Sequence, residues 1–141
     1  MHFWDQHKNI TNYYEKLTSS ICQQYKLTQL EYDILMFLYN NPKYNTASDI
    51  VRIRKSTKSH VSTSLKNLEN KKLIIKKQNK ENKKYYEIFL LEKANIIIKN
   101  GKKIQEQFIE DLFEGISEDD MVIFKKVFDK ICKNADFHLK S

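Results

Sequence analysis

Residues that break regular secondary structure are scarce in this chain: 141 residues hold two glycines, Gly101 and Gly115, and one proline, Pro42. Glycine and proline are the least favourable residues inside a helix and the commonest in tight turns. A chain so short of them lacks the material for Gly-rich phosphate loops, long turns or a strand-rich sandwich, so long helices are the expectation. Hydrophobic residues at 40% suffice for a core, and charged residues at 30% keep the surface hydrated. The length fits one compact domain, or one domain with a dimerisation extension. The longest apolar run, Ile34 to Tyr39, falls far short of the ~18 residues a membrane span needs. Met1-His2-Phe3-Trp4-Asp5 has no basic segment leading into an apolar one, so no signal peptide is expected and a cytoplasmic location is.

Apolar spacing places the helices. Phe3, His7, Ile10, Tyr14, Leu17 and Ile21 recur three or four apart, one stripe of a helix over 3–25. Thr28 and Glu31 have the spacing of a capping box, opening a helix over 29–40 that is apolar nearly all round and therefore central. Asn40-Asn41-Pro42 stops it, and a short extended piece is expected at Tyr44-Asn45. Thr46 caps a brief helix over 47–54, expected to bury Ile50 with Val51 or Ile53. After the polar turn Arg54-Lys55-Ser56, Thr57 caps a helix over 58–71. Val61, Leu65 and Leu68 form its inward stripe, opposite Lys58, Ser59, Ser62, Thr63, Lys66 and Asn67. Two β-favouring runs, Leu73–Gln78 and Tyr85–Leu90, flank a polar tip at 79–84 and read as a hairpin. A helix over 92–115 carries Ala94, Ile97, Ile98, Ile104, Phe108 and Leu112 on one side. At ~36 Å it is too long to bury against one small domain. Ser117 caps a sixth helix with Phe124, Val127, Phe128 and Ile131 on one face.

The net charge is +7, and its placement matters more than its size. Residues 43–84 hold 13 basic side chains against three acidic ones, which is +10, whereas residues 1–42 and 85–141 come to −1 and −2. A concentrated basic block is the electrostatic footprint of a polyanion-binding module. The order helix, helix, short strand, helix, turn, helix, hairpin is that of a winged helix-turn-helix, whose second helix enters the DNA major groove by its N-terminal residues. Short hydrogen-bonding side chains are needed where the backbone comes closest, and Lys58, Ser59, His60, Ser62, Thr63 and Lys66 provide them. Arg54, Lys55 and Thr57 in the turn, with Lys80, Asn82, Lys83 and Lys84 in the wing, complete the expected DNA-binding set. Lys71 and Lys72 are expected to favour the negative end of the helix dipole first and phosphate second.

The sequence resembles the MarR (multiple antibiotic resistance regulator) family of bacterial transcription factors over about residues 10–133. The resemblance lies in Ser48-Asp49-Ile50-Val51, in Thr57-Lys58-Ser59-His60-Val61-Ser62, and in Leu65 to Ile74. Glu81-Asn82-Lys83-Lys84 and Leu90-Leu91-Glu92-Lys93-Ala94 extend it. Asn82, Lys83 and Lys84 depart from the Asp-Arg-Arg usual in that family's wing, and Thr63 stands where arginine is common. Lysine lacks arginine's planar fork, so minor-groove insertion is expected to be weaker. Leu90-Leu91 and Ala94 replace the family's usual Leu-Thr and Gly at the start of the fifth helix.

The resemblance implies a homodimer paired through its terminal helices: 1–27 as an N-terminal dimerisation helix, 28–91 as the winged DNA-binding domain, 92–141 as C-terminal dimerisation helices. Phe3, Ile10, Tyr14, Leu17, Phe108, Leu112, Phe124 and Phe128 are the expected interface. The implied function is a sequence-specific regulator of transcription, a repressor on a pseudo-palindromic site of double-stranded DNA, releasable by a small aromatic or anionic effector. Tyr13, Tyr14, Tyr32 and Tyr39 are expected to pack the core and interface rather than line an effector pocket. No catalytic constellation, cofactor motif or metal cluster is evident, and no membrane partner is expected. The histidines through which some relatives bind zinc are missing from the fifth helix. Two other readings stand beside this one: a winged module binding an acidic protein partner, and a thiol-based sensor using Cys22 or Cys132.

Overall fold

A computed structural model describes residues 2–141 of the chain. The elements run α1 (Phe3–Gln6), α2 (Lys8–Tyr25), α3 (Gln29–Asn40), α4 (Ala47–Arg54), α5 (Lys58–Asn70), β1 (Ile74–Gln78), β2 (Tyr86–Leu90), α6 (Asn95–Leu112) and α7 (Glu118–Leu139). The protein is mostly helical with one two-stranded wing, a winged helix-turn-helix, and the six expected helices are all present. Backbone packing divides it into two compact units, one running to Phe108 and the other Ile109–Ser141. Among the described residues no helix is long and apolar enough to cross a membrane.

Local signals set the boundaries. Thr28 Oγ1 accepts the Glu31 amide at 3.1 Å while Glu31 Oε1 accepts the Thr28 amide at 3.2 Å, closing the capping box. Thr46 and Asp49 repeat it at the head of α4, with bonds of 3.1 and 3.3 Å. Ser117 caps α7 through the Asp120 amide. α3 is the centre of the larger unit: Tyr32, Ile34 and Leu35 are fully buried, as are Ile50 of α4, Val61 and Leu68 of α5. Ile21 of α2, Ile74 and Ile88 of the wing, and Ile97 and Ile98 of α6 close the core. The wing is antiparallel, with Ile74 opposite Leu90 and Gln78 opposite Tyr86.

Three expectations are corrected and one alternative is settled. The helix over 3–25 is interrupted at His7, which ends the four-residue α1 and precedes α2. The helix over 92–115 is shorter: 92–94 form a 3₁₀ turn, α6 ends at Leu112, and Gly115 at φ 78° turns the chain onward. No strand forms at Tyr44-Asn45; what remains of it is one bond, the Ile88 amide to the Asn45 carbonyl at 2.8 Å. In α4, Val51 is half-buried beside Ile50, and Ile53 faces solvent.

Candidate nucleic-acid interface

α4 and α5 are joined by a tight turn in which Lys55 is left-handed (φ 56°) and Thr57 caps α5, its Oγ1 accepting the His60 amide at 3.3 Å. Val61, Ser64, Leu65 and Leu68 bury the inner face of α5. The outer face therefore has one composition: Lys58, Ser59, His60, Ser62, Thr63 and Lys66 are all exposed. Among the described residues, none of these six side chains has an intrachain hydrogen bond or ion pair. The structure brings them together on the first nine residues of one helix, beside the exposed Lys55 and Thr57. Arg54 is exposed as well, but its guanidinium is engaged, Nη2 lying 3.0 Å from Asp33 Oδ2.

The wing tip is shaped by asparagine in place of glycine. Asn79 Oδ1 accepts the amides of Glu81 and Asn82 at 2.8 and 3.0 Å, and the Tyr85 carbonyl accepts the Asn79 amide at 2.8 Å. Asn82 Oδ1 in turn accepts the Lys84 amide at 3.1 Å, so Asn82, itself exposed, also shapes the tip. Lys80, Lys83 and Lys84 are exposed around it.

Two residues placed near this face by sequence are committed elsewhere. Glu31 is 2% exposed, and a buried carboxylate needs compensation. Asn67 Nδ2 donates to its Oε2 at 3.0 Å and Lys71 Nζ lies 3.2 Å from its Oε1. Lys71 also donates to the Lys26 carbonyl, and Lys93 Nζ donates to the Lys71 carbonyl at 3.0 Å. Asn67 thus faces α3, not solvent, and Lys71 is first the counter-ion of Glu31. These partners are 36 and 40 residues apart, so no local pattern could have paired them.

A second polar chain ties α2, α3 and α4. Thr18 Oγ1 donates to Gln29 Oε1 at 3.0 Å, Gln29 Nε2 donates to Asp33 Oδ1 at 3.0 Å, and Arg54 completes the set. Burial holds the Asp33 carboxyl above its ordinary pKa, with Arg54 and Gln29 pulling the other way. Burial likewise raises the Cys22 thiol, helped by Asp33 and Glu31, the reverse of what an activated thiolate requires. Cys132 is exposed.

The expected interface residues divide by exposure. Phe3 and Ile10 are exposed, Tyr14 and Leu17 half-buried. The Tyr14 ring meets Phe108 edge-on at 5.0 Å within the larger unit. In the other unit Leu112 is half-buried, and Phe124 and Phe128 are exposed with their rings stacked 5.5 Å apart. No residue of α7 is buried. Of the tyrosines, Tyr32 lies in the core, Tyr13 and Tyr14 are half-buried, and Tyr39 is exposed under the Lys102 ammonium at 5.3 Å.

Residues 25–84, which hold α3, α4, α5, β1 and the wing tip, match the MarR family model. No curated protein matches the sequence. Solved structures match the fold. A Listeria monocytogenes protein described as a MarR-family transcriptional regulator, in complex with a 26mer DNA, has a TM-score of 0.84 at 23% identity, covering 95% of this chain and 89% of that one. S. aureus MepR in a DNA-binding conformation has a TM-score of 0.85 at 20% identity, covering 96% of this chain and 99% of that one. The transcriptional regulator SlyA has a TM-score of 0.84 at 17% identity, covering 100% of each chain. By the match over residues 25–84 and by a fold shared along nearly its whole length, this chain is similar to the MarR family.

Proposed function

We propose that the chain is a sequence-specific, DNA-binding regulator of transcription that works as a homodimer, represses from a pseudo-palindromic site and is released by a small ligand. The observation that carries this reading is the outer face of α5. Six exposed polar or cationic side chains, uncommitted within the chain, crowd the first nine residues of a helix that sits in a +10 segment. The N-terminal end of a recognition helix is the part that reaches base edges. Ser59, His60, Ser62 and Thr63 are short enough for a close approach, and Lys58 and Lys66 suit flanking phosphates. The wing lysines fit the neighbouring backbone or minor groove. S. aureus MepR, similar in fold, has been solved with DNA, which favours the same use of this face.

Ser59→Ala with Thr63→Ala tests the assignment. Against the DNA upstream of its own gene, the double variant is expected to lose about 2–4 kcal/mol of preference for its site over random DNA. Its non-specific binding, set by the lysines, should stay. Unchanged site preference would place base readout elsewhere, and no DNA binding by either protein would favour an acidic protein partner.

A further inference from the structure

The chain carries 25 basic side chains, and only two of them, Arg52 and Arg54, are arginine. Both lie in α4 and both are paired: Arg52 Nη2 is 3.0 Å from Asp49 Oδ1, and Arg54 Nη2 is 3.0 Å from Asp33 Oδ2. Arginine's planar fork suits a fixed carboxylate contact, whereas lysine is a point charge on a flexible stem. In the expected DNA-facing set, lysine supplies the exposed cations, and the one arginine, Arg54, is tied to a carboxylate. The two pairs differ in reach. Arg52 bonds three residues back along its own helix, but Arg54 bonds 21 residues back, to α3.

The Asp33 carboxylate is held at both oxygens. Gln29 Nε2 donates to Oδ1 at 3.0 Å, Arg54 donates to Oδ2, and the fully buried Thr18 fixes Gln29 from α2. Arg54 is the last residue of α4; the left-handed Lys55 follows, and α5 begins at Lys58. The tether therefore stands at the start of a turn that contains neither glycine nor proline. We propose that Arg54 is a positioning residue and not a DNA contact: held by Asp33, it sets the direction in which α5 presents Ser59, Ser62 and Thr63 to base edges. The inference rests on the DNA-binding reading above. Short side chains lose base edges when the helix tilts, while long lysine stems still reach phosphate, and phosphate contacts carry no sequence information directly. The pair thus governs site preference and leaves general affinity alone. Its side chains are 38% and 16% exposed, and a pair partly open to solvent adds little to stability.

The test is a double-mutant cycle. Wild type, Asp33→Asn, Arg54→Gln and the double variant are titrated against the DNA upstream of the gene and against random DNA, each at several salt concentrations. Each single variant is expected to lose about five- to tenfold in preference for the site over random DNA, and the double variant no more than the worse single. Arg54→Gln should keep wild-type affinity for random DNA and the wild-type salt slope, which also shows that it is folded. A phosphate contact predicts the opposite: Arg54→Gln weakens both DNAs alike and lowers the salt slope by about 0.9, while Asp33→Asn keeps its preference. That result, or additive losses in the double variant, overturns the inference. A wild-type preference that both single variants keep overturns it too and leaves the DNA-binding reading standing. A wild type with no site preference overturns both.

Discussion

Gly101 lies inside α6 where that helix passes α3, and a Cβ at this position would stand 2.6 Å from Met36 Sδ and 2.7 Å from Tyr32 Oη. Both neighbours are core residues, 2% and 0% exposed, with little room to give. Gly101→Ala should therefore destabilise by about 1–3 kcal/mol through overpacking, even though alanine gains up to ~1 kcal/mol of helix propensity. Urea unfolding reads this directly, and a variant as stable as wild type would contradict the close approach. With Gly115 the only other glycine, lysine takes left-handed positions usually held by glycine: Lys26, Lys55 and Lys72 have φ of 54°, 56° and 60° at or just beyond helix C-termini. Each bears some steric cost, offset by placing a cation at the negative end of a helix. The oddity of a glycine within an apolar stripe is visible in the sequence; that it answers Tyr32 and Met36 is not. The same holds for Glu31, whose cap role is written three residues away but whose pairing with Asn67 and Lys71 depends on how α5 crosses α3.

Elements were legible where their signals are local. Thr28, Thr46, Thr57 and Ser117 each cap the helix that follows, because a cap needs partners only two or three residues on. The stripe Val61, Leu65, Leu68 fixed the inner face of α5 and so its outer face too, save for Asn67, which turns to Glu31. Ends governed by tertiary fit were less legible: the break at His7, the 3₁₀ turn before α6, and the single bond that replaces a strand at Asn45. The wing tip lay between these cases, since its charge was plain but the asparagine bonds that shape it were not. If its lysines contact phosphate, Lys80→Ala, Lys83→Ala and Lys84→Ala together should reduce the slope of log K against log[salt] by about 2–3 units, at ~0.9 per lost contact. They should lower affinity for specific and random DNA alike. An unchanged slope would show the wing pointing away from the duplex.

For the whole molecule the unused surface is the clearest signal. α7 spans 22 residues with none buried, and Val122, Phe124, Val127, Phe128 and Ile131 are exposed along it. Apolar exposure on this scale marks an association surface, and a closed two-fold dimer is the commonest way to cover one. Phe124→Glu with Phe128→Glu should turn a dimer into monomers, read by light scattering as a fall to the chain mass of 17.0 kDa. A wild-type protein already monomeric at micromolar concentration would contradict the dimer. Two recognition helices in such a dimer would read half-sites about one DNA turn apart, ~34 Å. The most direct test is a footprinting titration of the purified protein on the DNA upstream of its own gene, repeated from 50 to 200 mM salt. Two protected half-sites at that spacing are expected, with affinity falling by about three to five decades for some 6–10 phosphate contacts. Protection with no site preference and no salt slope would contradict the account.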